Sequence, residues 1–383
     1  MKYSIHTHIK EIIDKRGSDI RDWFAKEYER IRPLFYASVD IRDSGSKIAA
    51  IDTNIFPGGF NNVSEYSYDA VAKMMDEFLN KYHPNSSRVL IIPESHTRNQ
   101  FYLDNIHTIE ILIKRSGREV IIGNLSNDTF LKQGSKVSVK NGKFIPDIII
   151  LNNDFSGGVP EILNGIEQPI IPALKFSWYF REKSKHFKKY DEMIGRFSRD
   201  FDLDPFFLSA IVNNCGEVNF ADSKGLDCIA NSVDKLIHLL ANKYKEYGIE
   251  DKPYVFIKAD KGTYGMGIMT ATSGEEVISM NRDSRRKMHV IKEGVVNTKV
   301  IIQEGIPTIN QHNGDPAEPI MYLVGGEVAD YFLRVNDQRD EFGNLNKAGL
   351  KFTRFSSITQ SDSDKLNAYK LIARIASLAA AME

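Results

Sequence analysis

The feature that most constrains the fold is an alternation of helix and strand patterns in the first half of the chain. Apolar residues recur at helical spacing in residues 68–82 and 102–115, so both segments are predicted to be helices. Short apolar runs typical of buried strands lie at residues 88–92, 119–122 and 147–151. This alternation predicts an open α/β sheet, in which ligands bind beyond the carboxyl ends of the strands.

Polar side chains cluster behind a second pair of strand-like runs, residues 35–41 and 47–51. A loop with Pro57, Gly58 and Gly59 follows, and binding residues tend to lie in such loops at strand ends. Arginine together with several amides suits the carboxylate and ammonium groups of an amino acid. The alternative is a loop whose Asn and Asp side chains bond their own backbone. Two further candidates, Arg98 and Asn99, follow the strand predicted at residues 88–92. The candidate substrate-binding residues are therefore Arg42, Asp52, Asn54, Asn61, Asn62, Arg98 and Asn99.

A glycine-rich loop between two strand-like runs occupies residues 253–270. Lys258 ends the first run, and Gly262, Gly265 and Gly267 follow it. Glycines let backbone N–H groups turn toward a phosphate without interference from Cβ atoms, and the lysine supplies a mobile positive charge. The spacing differs from the P-loop and dinucleotide-binding motifs. A tight hairpin with glycines at positive φ explains the same spacing, so the spacing alone leaves both interpretations open.

Length and composition exclude several classes of protein. A chain of 383 residues predicts two or three domains, and a net charge of −1 gives no reason to expect nucleic acid or an anionic membrane as partner. No apolar run approaches the ~18–20 residues of a membrane span, and the N-terminal segment lacks an apolar leader, so a cytoplasmic protein is expected. Cys215 and Cys228 form neither a disulfide framework nor a zinc motif, and we expect inert core residues.

The order of elements from residue 175 onward resembles that of the ATP-grasp ligases, which include glutathione synthetase. The strand with Lys258 and its glycine loop is followed by a helix, a strand that ends at Gln303 and Glu304, a hairpin, and a loop with Asn344. More specifically, the chain resembles the small proteobacterial family of glutamate–cysteine ligases. The segments that carry this resemblance are S-V-D-I-R-D-S-G-S-K, D-T-N-I-F-P-G-G-F-N-N, P-E-S-H-T-R-N, I-K-A-D-K-G-T-Y-G-M-G-I-M, Q-E-G-I-P-T, A-E-P-I-M-Y and N-L-N-K-A-G.

The resemblance implies an α/β protein of α+β subdomains, with an ATP-grasp-like fold and an N-terminal open α/β substrate-binding domain. The implied domains are residues 1–174 and 175–383, with a glycine-loop lid subdomain at about 253–303. The implied reaction joins the γ-carboxylate of L-glutamate to L-cysteine through an acyl phosphate and yields γ-glutamylcysteine, ADP and phosphate, the first step of glutathione biosynthesis. ATP and Mg²⁺ are the implied cofactors. Glutamate, cysteine and ATP are the implied partners, without nucleic acid or membrane, and a homo-oligomer stays open.

The resemblance also implies roles for individual residues. Lys258 and Arg334 would be catalytic, because they would offset the charge of the transferred phosphoryl group. The implied ATP-binding residues are Lys258, Gly262, Thr263, Tyr264, Gly265, Met266 and Gly267 in the closing loop, and Gln303, Glu304 and Gly305 in a hinge that reads adenine. The implied metal ligands are Glu318 and Asn344, with Glu341 or Asp340 in place of an acid that the family carries where Phe342 stands.

Three other functions remain open for this sequence. One is an ATP-grasp carboxylate–amine ligase with different amino-acid substrates. Another is a phosphotransferase on the same scaffold, which would accumulate a phosphorylated product. The last is a nucleotide-binding protein without catalytic activity.

Overall fold

Helices and strands alternate along most of the chain. A computed structural model describes residues 5–95, 99–125, 128, 130–140, 142–262, 265–355 and 360–383. The helices within these residues are α1 (Ile5–Arg30), α2 (Tyr68–Tyr82), α3 (Gln100–Arg115), α4 (Lys183–Phe201), α5 (Leu226–Tyr247), α6 (Gly274–Ile278), α7 (Arg282–His289) and α8 (Gln360–Ala381). The strands are β1 (Tyr36–Asp43), β2 (Ile48–Asn54), β3 (Arg88–Pro93), β4 (Glu119–Ile122), β5 (Phe130–Gln133), β6 (Lys136–Val139), β7 (Ile148–Asn152), β8 (Ile170–Ile171), β9 (Val212–Gly216), β10 (Val255–Ala259), β11 (Ile268–Ala271), β12 (Lys299–Glu304), β13 (Gln311–His312), β14 (Asp315–Val324), β15 (Glu327–Val335) and β16 (Lys351–Thr353).

A parallel sheet in the order β4-β3-β7-β8 confirms the open α/β sheet that the helix–strand alternation predicts. The apolar stripes of α2 and α3 pack on one face, where Met75 and Ile109 join Ile91 in one core. Strands covered by helices are near-continuous apolar runs, which is why the short runs of this region were recognisable as strands.

The sequence predicts a hairpin at residues 136–144, around Asn141 and Gly142. Val139 and Phe144 exchange two backbone hydrogen bonds there, but along its length β6 pairs with a different strand, β5. In the structure β6 pairs with the preceding strand β5 across Gly134, which has φ +60°, and beyond β6 a single bridge joins Val139 to Phe144. Asn141, which was expected to form the turn, lies outside the described residues. The turn forms at Gly134 because glycine adopts this left-handed conformation at little cost.

An antiparallel sheet in the order β11-β10-β12-β9, here called the hairpin sheet, contains the predicted strand–loop–strand. Lys258 lies opposite Ile268, so the glycine loop joins two hydrogen-bonded strands. One face packs on α5, with Val255 and Ile257 in the core. The sequence pattern of residues 169–248 predicts mostly helices, and strand β9 departs from that prediction.

The central sheet runs in the order β16-β15-β14-β1-β2, and β13 also pairs with β14. Strand β1 lies antiparallel to β14, with Tyr36 opposite Val324, and antiparallel to β2, with Asp40 opposite Asp52. The sheet thus takes strands from both sides of the predicted domain boundary between residues 174 and 175. That division of the chain stays a prediction.

Helices α1, α4 and α8 cover one face of the central sheet. Val39 and Ile41 of β1 pack with Trp23, Phe197 and Ile372 in this layer. Because successive strand residues point to opposite faces, Asp40 and Arg42 point away from the layer. Their side chains lie on the opposite face of the sheet, where the site described below is found. Within the described residues, none of the helices is both long and apolar enough to cross a bilayer.

Candidate active site

A cavity of about 40 Å³ lies between the central sheet and the glycine loop that joins β10 to β11. The acidic residues that line it are Asp40, Asp52 and Glu318, and the cationic ones are Arg42, Lys183, Lys258 and Arg334. Its wall also includes Ile51, Phe256, Ala259, Gly262, Gly265, Met266, Ile268, Asn344 and Asn346. Cations gathered around a cleft with low-dielectric walls suit a ligand that carries several negative charges.

Lys258 reaches this cavity because alternate residues of β10 face opposite ways. Val255 and Ile257 point into the core, whereas Lys258 points to the cavity. Its ammonium group donates to the main-chain carbonyl of Ile51 at 3.2 Å, and an ammonium group carries three donors, so capacity remains for a ligand. Burial lowers the pKa of Lys258 to about 8, although the Asp52 carboxylate opposes this shift.

Lys183, at the start of α4, is a second buried lysine in the cavity, and the sequence analysis missed it. Its Nζ lies 2.5 Å from Oδ1 of Asp52. Burial alone would raise the pKa of Asp52, but Lys183 and Lys258 outweigh burial and lower it. The only sequence signal is a basic run around Lys183, which equally fits a solvated helix face. Contact between α4 and β2 is what reveals its place.

Two arginines hold the Glu318 carboxylate from both sides. Nη1 of Arg334 donates to Oε1 of Glu318 at 2.5 Å and to Oδ2 of Asp40 at 2.7 Å. Nε of Arg42 donates to Oε2 of Glu318 at 2.6 Å. Burial would raise the pKa of Glu318, but the two guanidinium groups outweigh it and lower the pKa. For Asp40, in contrast, burial prevails over Arg334 and raises the pKa.

The remaining donors of Arg42 hold a loop in place. Nη1 donates to the carbonyl of Glu341 at 3.0 Å, and Nη2 donates to the carbonyl of Gly343 at 2.6 Å. Arg42 is 1% exposed and ties β1 to the loop of residues 341–343. This geometry favours a positioning role for Arg42, and its predicted contact with substrate stays a prediction.

Asn344 lines the cavity with an unused donor. Its Nδ2 is buried without a hydrogen-bond partner among the described residues, while its Oδ1 accepts from the backbone N–H of Asn346 at 2.9 Å. A buried donor without an acceptor costs roughly 1–3 kcal/mol, so Nδ2 marks a place for an acceptor oxygen of a ligand. Glu341 is exposed, and Asp340 lines a separate cavity.

The glycine loop is folded against the segment that carries Asn344. Gly265 has φ +66°, and a Cβ at this position would lie 2.3 Å from the carbonyl oxygen of Asn346. Nζ of Lys347 also donates to the carbonyl of Gly265. Glycine is therefore required here both by the backbone conformation and by the close approach. Thr263 and Tyr264, predicted to bind ATP, lie outside the described residues.

Comparison with known proteins shows which family the chain belongs to. The model of the glutamate–cysteine ligase family matches residues 10–383. The chain belongs to the glutamate–cysteine ligase family. It is also similar to a provisionally assigned gamma-glutamylcysteine synthetase from Methylobacillus flagellatus KT, with 36% identity and a TM-score of 0.90 over 100% of this chain and 96% of that one. No curated protein matches the sequence significantly.

A glutathione synthetase-like effector from Globodera pallida, in its apo form, is far less similar. The TM-score is 0.39 and the identity 10%, over 91% of this chain and 79% of that one, which is too low to indicate a shared fold. Membership of the glutamate–cysteine ligase family makes the chain a ligase that depends on ATP. It also confirms the ATP-grasp-like α/β fold expected from the resemblance.

In this member of the ligase family the predicted adenine hinge lies inside the protein. Glu304 is fully buried, and Lys47 binds its two carboxylate oxygens at 2.7 and 2.8 Å. A Cβ on Gly305 would meet the Tyr254 ring at 2.3 Å, so the ring lies directly over this glycine. Gln303 is also buried, and its Oε1 has no hydrogen-bond partner among the described residues.

Among the other predicted substrate-binding residues of the ligase, Asn54, Asn61, Asn62 and Asn99 lie outside the lining of the cavity. Asn54, Asn62 and Asn99 bond the backbone of residues two or three positions away, as the Asx-turn alternative predicts. Asn61 is partly exposed, and Arg98 lies outside the described residues. Their roles in substrate binding stay predictions.

A second cavity, of about 270 Å³, continues along the same face of the hairpin sheet. Tyr254 lies two residues before the cavity-facing Phe256, and both Tyr254 and Thr270 line the second cavity. On the opposite side lies Phe342, whose ring centroid is 5.6 Å from that of Tyr254 at an interplanar angle of 79°. The two cavities are neighbours along this face and are here together called the groove, with a charged end at the first cavity and an aromatic end at the second.

Proposed function

We propose that this ligase joins the γ-carboxylate of glutamate to the amine of cysteine in the cavity that contains Lys258. Membership of the glutamate–cysteine ligase family supports the reaction. The observation that carries the choice of site is the convergence of buried Lys183, Lys258 and Arg334 beneath a folded glycine loop. A phosphoryl group in transfer accumulates negative charge, and buried cations offset that charge more effectively than exposed ones.

The reaction proceeds in two displacements. The γ-carboxylate of glutamate attacks the γ-phosphorus of ATP, which forms an acyl phosphate and releases ADP. The amine of cysteine then attacks the acyl carbon, forms the amide and releases phosphate and a proton. The protein contributes position and charge without a covalent intermediate of its own. The glycine loop protects the acyl phosphate from water.

The groove suggests how ATP lies in the site. Its charged end, at Lys258, suits the triphosphate, and its aromatic end, beside the contacting rings of Tyr254 and Phe342, suits the adenine ring. Gly305 donates from its N–H to the carbonyl of Tyr254 at 2.8 Å, so the predicted hinge forms the wall behind this ring. We propose that adenine binds beside Tyr254 and Phe342. Recognition of its edge by the backbone of the hinge, which the resemblance implies, stays a prediction.

Magnesium, which the resemblance implies, fits one pair of acids better than the predicted ligands. Both oxygens of Glu318 are held by arginines, and Glu341 points to solvent. Asp40 and Asp52 lie opposite one another on β1 and β2, and both line the cavity. Each accepts through a single carboxylate oxygen, Asp40 from Arg334 and Asp52 from Lys183, whereas both oxygens of Glu318 are used. Mg²⁺ prefers such hard oxygen ligands and would neutralise phosphate oxygens there. No group of three or more metal-binding side chains occurs within the described residues, so phosphate and water would complete the coordination.

An assay of phosphate release from ATP tests the proposal. Glutamate is paired with each amino acid in turn, and release is expected only with cysteine, together with γ-glutamylcysteine in the product mixture. Equal release with another amine would contradict the choice of cysteine. A stable phosphorylated product would indicate a phosphotransferase, and ATP binding without turnover would indicate a silent binder. The cytoplasmic location and the homo-oligomer stay predictions.

A further inference from the structure

Two cysteine side chains meet at the edge of the hairpin sheet, apart from the residues that line the two cavities. The Sγ atoms of Cys215 and Cys228 are 2.7 Å apart. Cys215 is buried on β9, whereas Cys228 is exposed on the first turn of α5. Both were predicted to be inert core residues, and the exposure of Cys228 contradicts this for one of them.

The fold, rather than chance proximity in the sequence, brings the two sulfurs together. The chain reverses between β9 and α5 through Ser223 and Gly225, whose φ angles are +64° and +81°. A backbone bridge joins Asn219 to Lys224 across this turn. The two sulfurs are direct neighbours, as the partners of a disulfide bond must be. The pair is therefore within reach of a covalent bond.

The two thiols differ in their chemistry. Burial raises the pKa of the Cys215 thiol to about 12, and its hydrogen bond with Cys228 acts in the same direction. The thiolate is the reactive form of cysteine, and a buried, protonated thiol meets no reagent from solution. Cys228 is exposed and lies within reach of such a reagent. A reagent from solution would thus react first with Cys228, and the buried Cys215 would be the resolving cysteine that completes the disulfide bond.

We propose that Cys215 and Cys228 form a modification site for low-molecular-weight disulfides. The Cys228 thiolate attacks one sulfur of a small disulfide, breaks its S–S bond and releases one small thiol, with the small molecule left on Cys228. The sulfur of Cys215 then attacks the sulfur of Cys228, and its proton passes to the departing second thiol. Two protein thiols are oxidised to one disulfide, and one small disulfide is reduced to two thiols.

The chemistry of the ligase family supplies a reason for such a site. Cysteine and γ-glutamylcysteine are both thiols, and their oxidised forms are low-molecular-weight disulfides. A bond between Cys215 and Cys228 would join β9 to α5, and β9 pairs through Cys215 with Val300 of β12. Oxidation of small thiols would therefore produce a disulfide bond in the same sheet that carries the glycine loop. This inference does not depend on the proposed position of ATP.

Intact-protein mass spectrometry with thiol titration tests the site. The full chain is incubated with glutathione disulfide, and the expected result is loss of both thiols and of two hydrogen atoms, with no adduct. Dithiothreitol should restore both thiols. Persistence of both thiols, or a stable glutathione adduct on the wild-type chain, would overturn the proposal.

Two variants assign the separate steps. Cys215→Ser should accumulate a glutathione adduct on Cys228, because the resolving thiol is absent. Cys228→Ser should retain its buried thiol without an adduct. If Cys215→Ser does not fold, peptide mapping of the oxidised wild-type chain must still find the Cys215–Cys228 cross-link. An adduct on Cys215 in Cys228→Ser would contradict the assigned order of attack.

Discussion

Lys258 is the side chain on which the chemistry of the cavity depends most directly. Its buried ammonium group faces the charged end of the groove, where it would meet the phosphates of ATP. We expect Lys258→Ala to lower kcat by on the order of 10²–10³, as the loss of one preorganised electrostatic contact does in other enzymes. Steady-state ADP release at saturating substrates measures this effect. A variant within a few-fold of the wild type would remove Lys258 from the site.

The pH dependence of the ligase should report on the same residue. Burial lowers the pKa of Lys258 to about 8, so its cationic form is lost as the pH rises through that value. We therefore expect kcat/KM for ATP to fall above about pH 8, since this parameter reports the free enzyme. Lys258→Arg keeps its charge to beyond about pH 12, so this variant should lack the alkaline decline. The same decline in both proteins would assign it to another group.

Lys183 can be tested with a matched control on the same helix. Lys183 is buried against Asp52, whereas the Lys185 side chain is 67% exposed and pairs with Glu182. We expect Lys183→Ala to lower kcat/KM for ATP roughly 10²-fold, because it removes a cation from the cavity. Lys185→Ala should retain wild-type kinetics. Equal effects of the two substitutions would indicate a general loss of helix stability instead.

At the scale of single residues, a local pattern in the sequence was enough to single out a residue that the structure places in the cavity. Lys258 stands beside a glycine loop, and the structure brings it to the cavity with Glu318 and Arg334. Asp40 and Lys183 also line the cavity, but their places depend on strand pairing and helix packing between distant segments. Asn54, Asn62 and Asn99 bond nearby backbone, because Asn competes well for such local donors and acceptors. Their role in substrate binding stays a prediction.

Among the elements, the glycine loop is the one that must move. A cavity of about 40 Å³, lined by Gly262, Gly265 and Met266 of this loop, is far smaller than the ~300–1,000 Å³ of typical ligand sites. Binding of ATP at the proposed site would therefore require the loop to open. We expect Gly265→Ala to lower kcat/KM for ATP roughly 10²-fold, because its Cβ would collide with Asn346 and displace the closed loop.

Gly248→Ala is the matched control for this substitution. Gly248 has the same φ of +66°, and a Cβ there would meet nothing within 4 Å in the described part of the chain. Both variants carry the strain of alanine in the left-handed region, on the order of 1 kcal/mol. Thermal unfolding should therefore change in both, and the kinetics in Gly265→Ala alone. Equal kinetic losses would show that backbone strain, rather than loop closure, is responsible.

Elements were predictable from sequence when their pattern was self-contained. The helix at Tyr68–Tyr82 matches its apolar stripe, because a helix satisfies its hydrogen bonds within itself. Strand β9, Val212–Gly216, escaped prediction because Asn213 and Asn214 break any apolar pattern, and the strand depends on pairing with β12. Its conformation depends on pairing with β12, and a short window of sequence around residues 212–216 does not contain that strand.

For the whole molecule, a buried ion pair between Lys47 and Glu304 joins the central sheet to the hairpin sheet. Lys47 lies next to β2 and Glu304 ends β12, and their side chains are 3% and 0% exposed. Removal of one partner leaves the other charge buried and unpaired. We expect Lys47→Met and Glu304→Gln each to lower the free energy of unfolding by roughly 3–5 kcal/mol. Urea unfolding followed by circular dichroism measures each value.

The double variant separates this pair from its surroundings. Lys47→Met with Glu304→Gln removes both charges, so the cost should be smaller than the sum of the two single costs. Additive costs would indicate that the two side chains stabilise the protein independently. In that case the ion pair would not couple the sheets.

The pairing of β1 with β14 has a consequence for synthesis on the ribosome. Most of the chain lies between these strands, so at ~5–20 residues per second β1 leaves the exit tunnel on the order of ten seconds or more before its partner. During this interval the nascent chain can complete the parallel sheet, whose strands all lie between Arg88 and Ile171. Until β14 is made, β1 is an unpaired edge strand, and Asp40 and Asp52 lie in an incomplete sheet. A ribosome-bound chain that ends before Asp315 should therefore be inactive, and the enzyme acquires its catalytic surface late in translation.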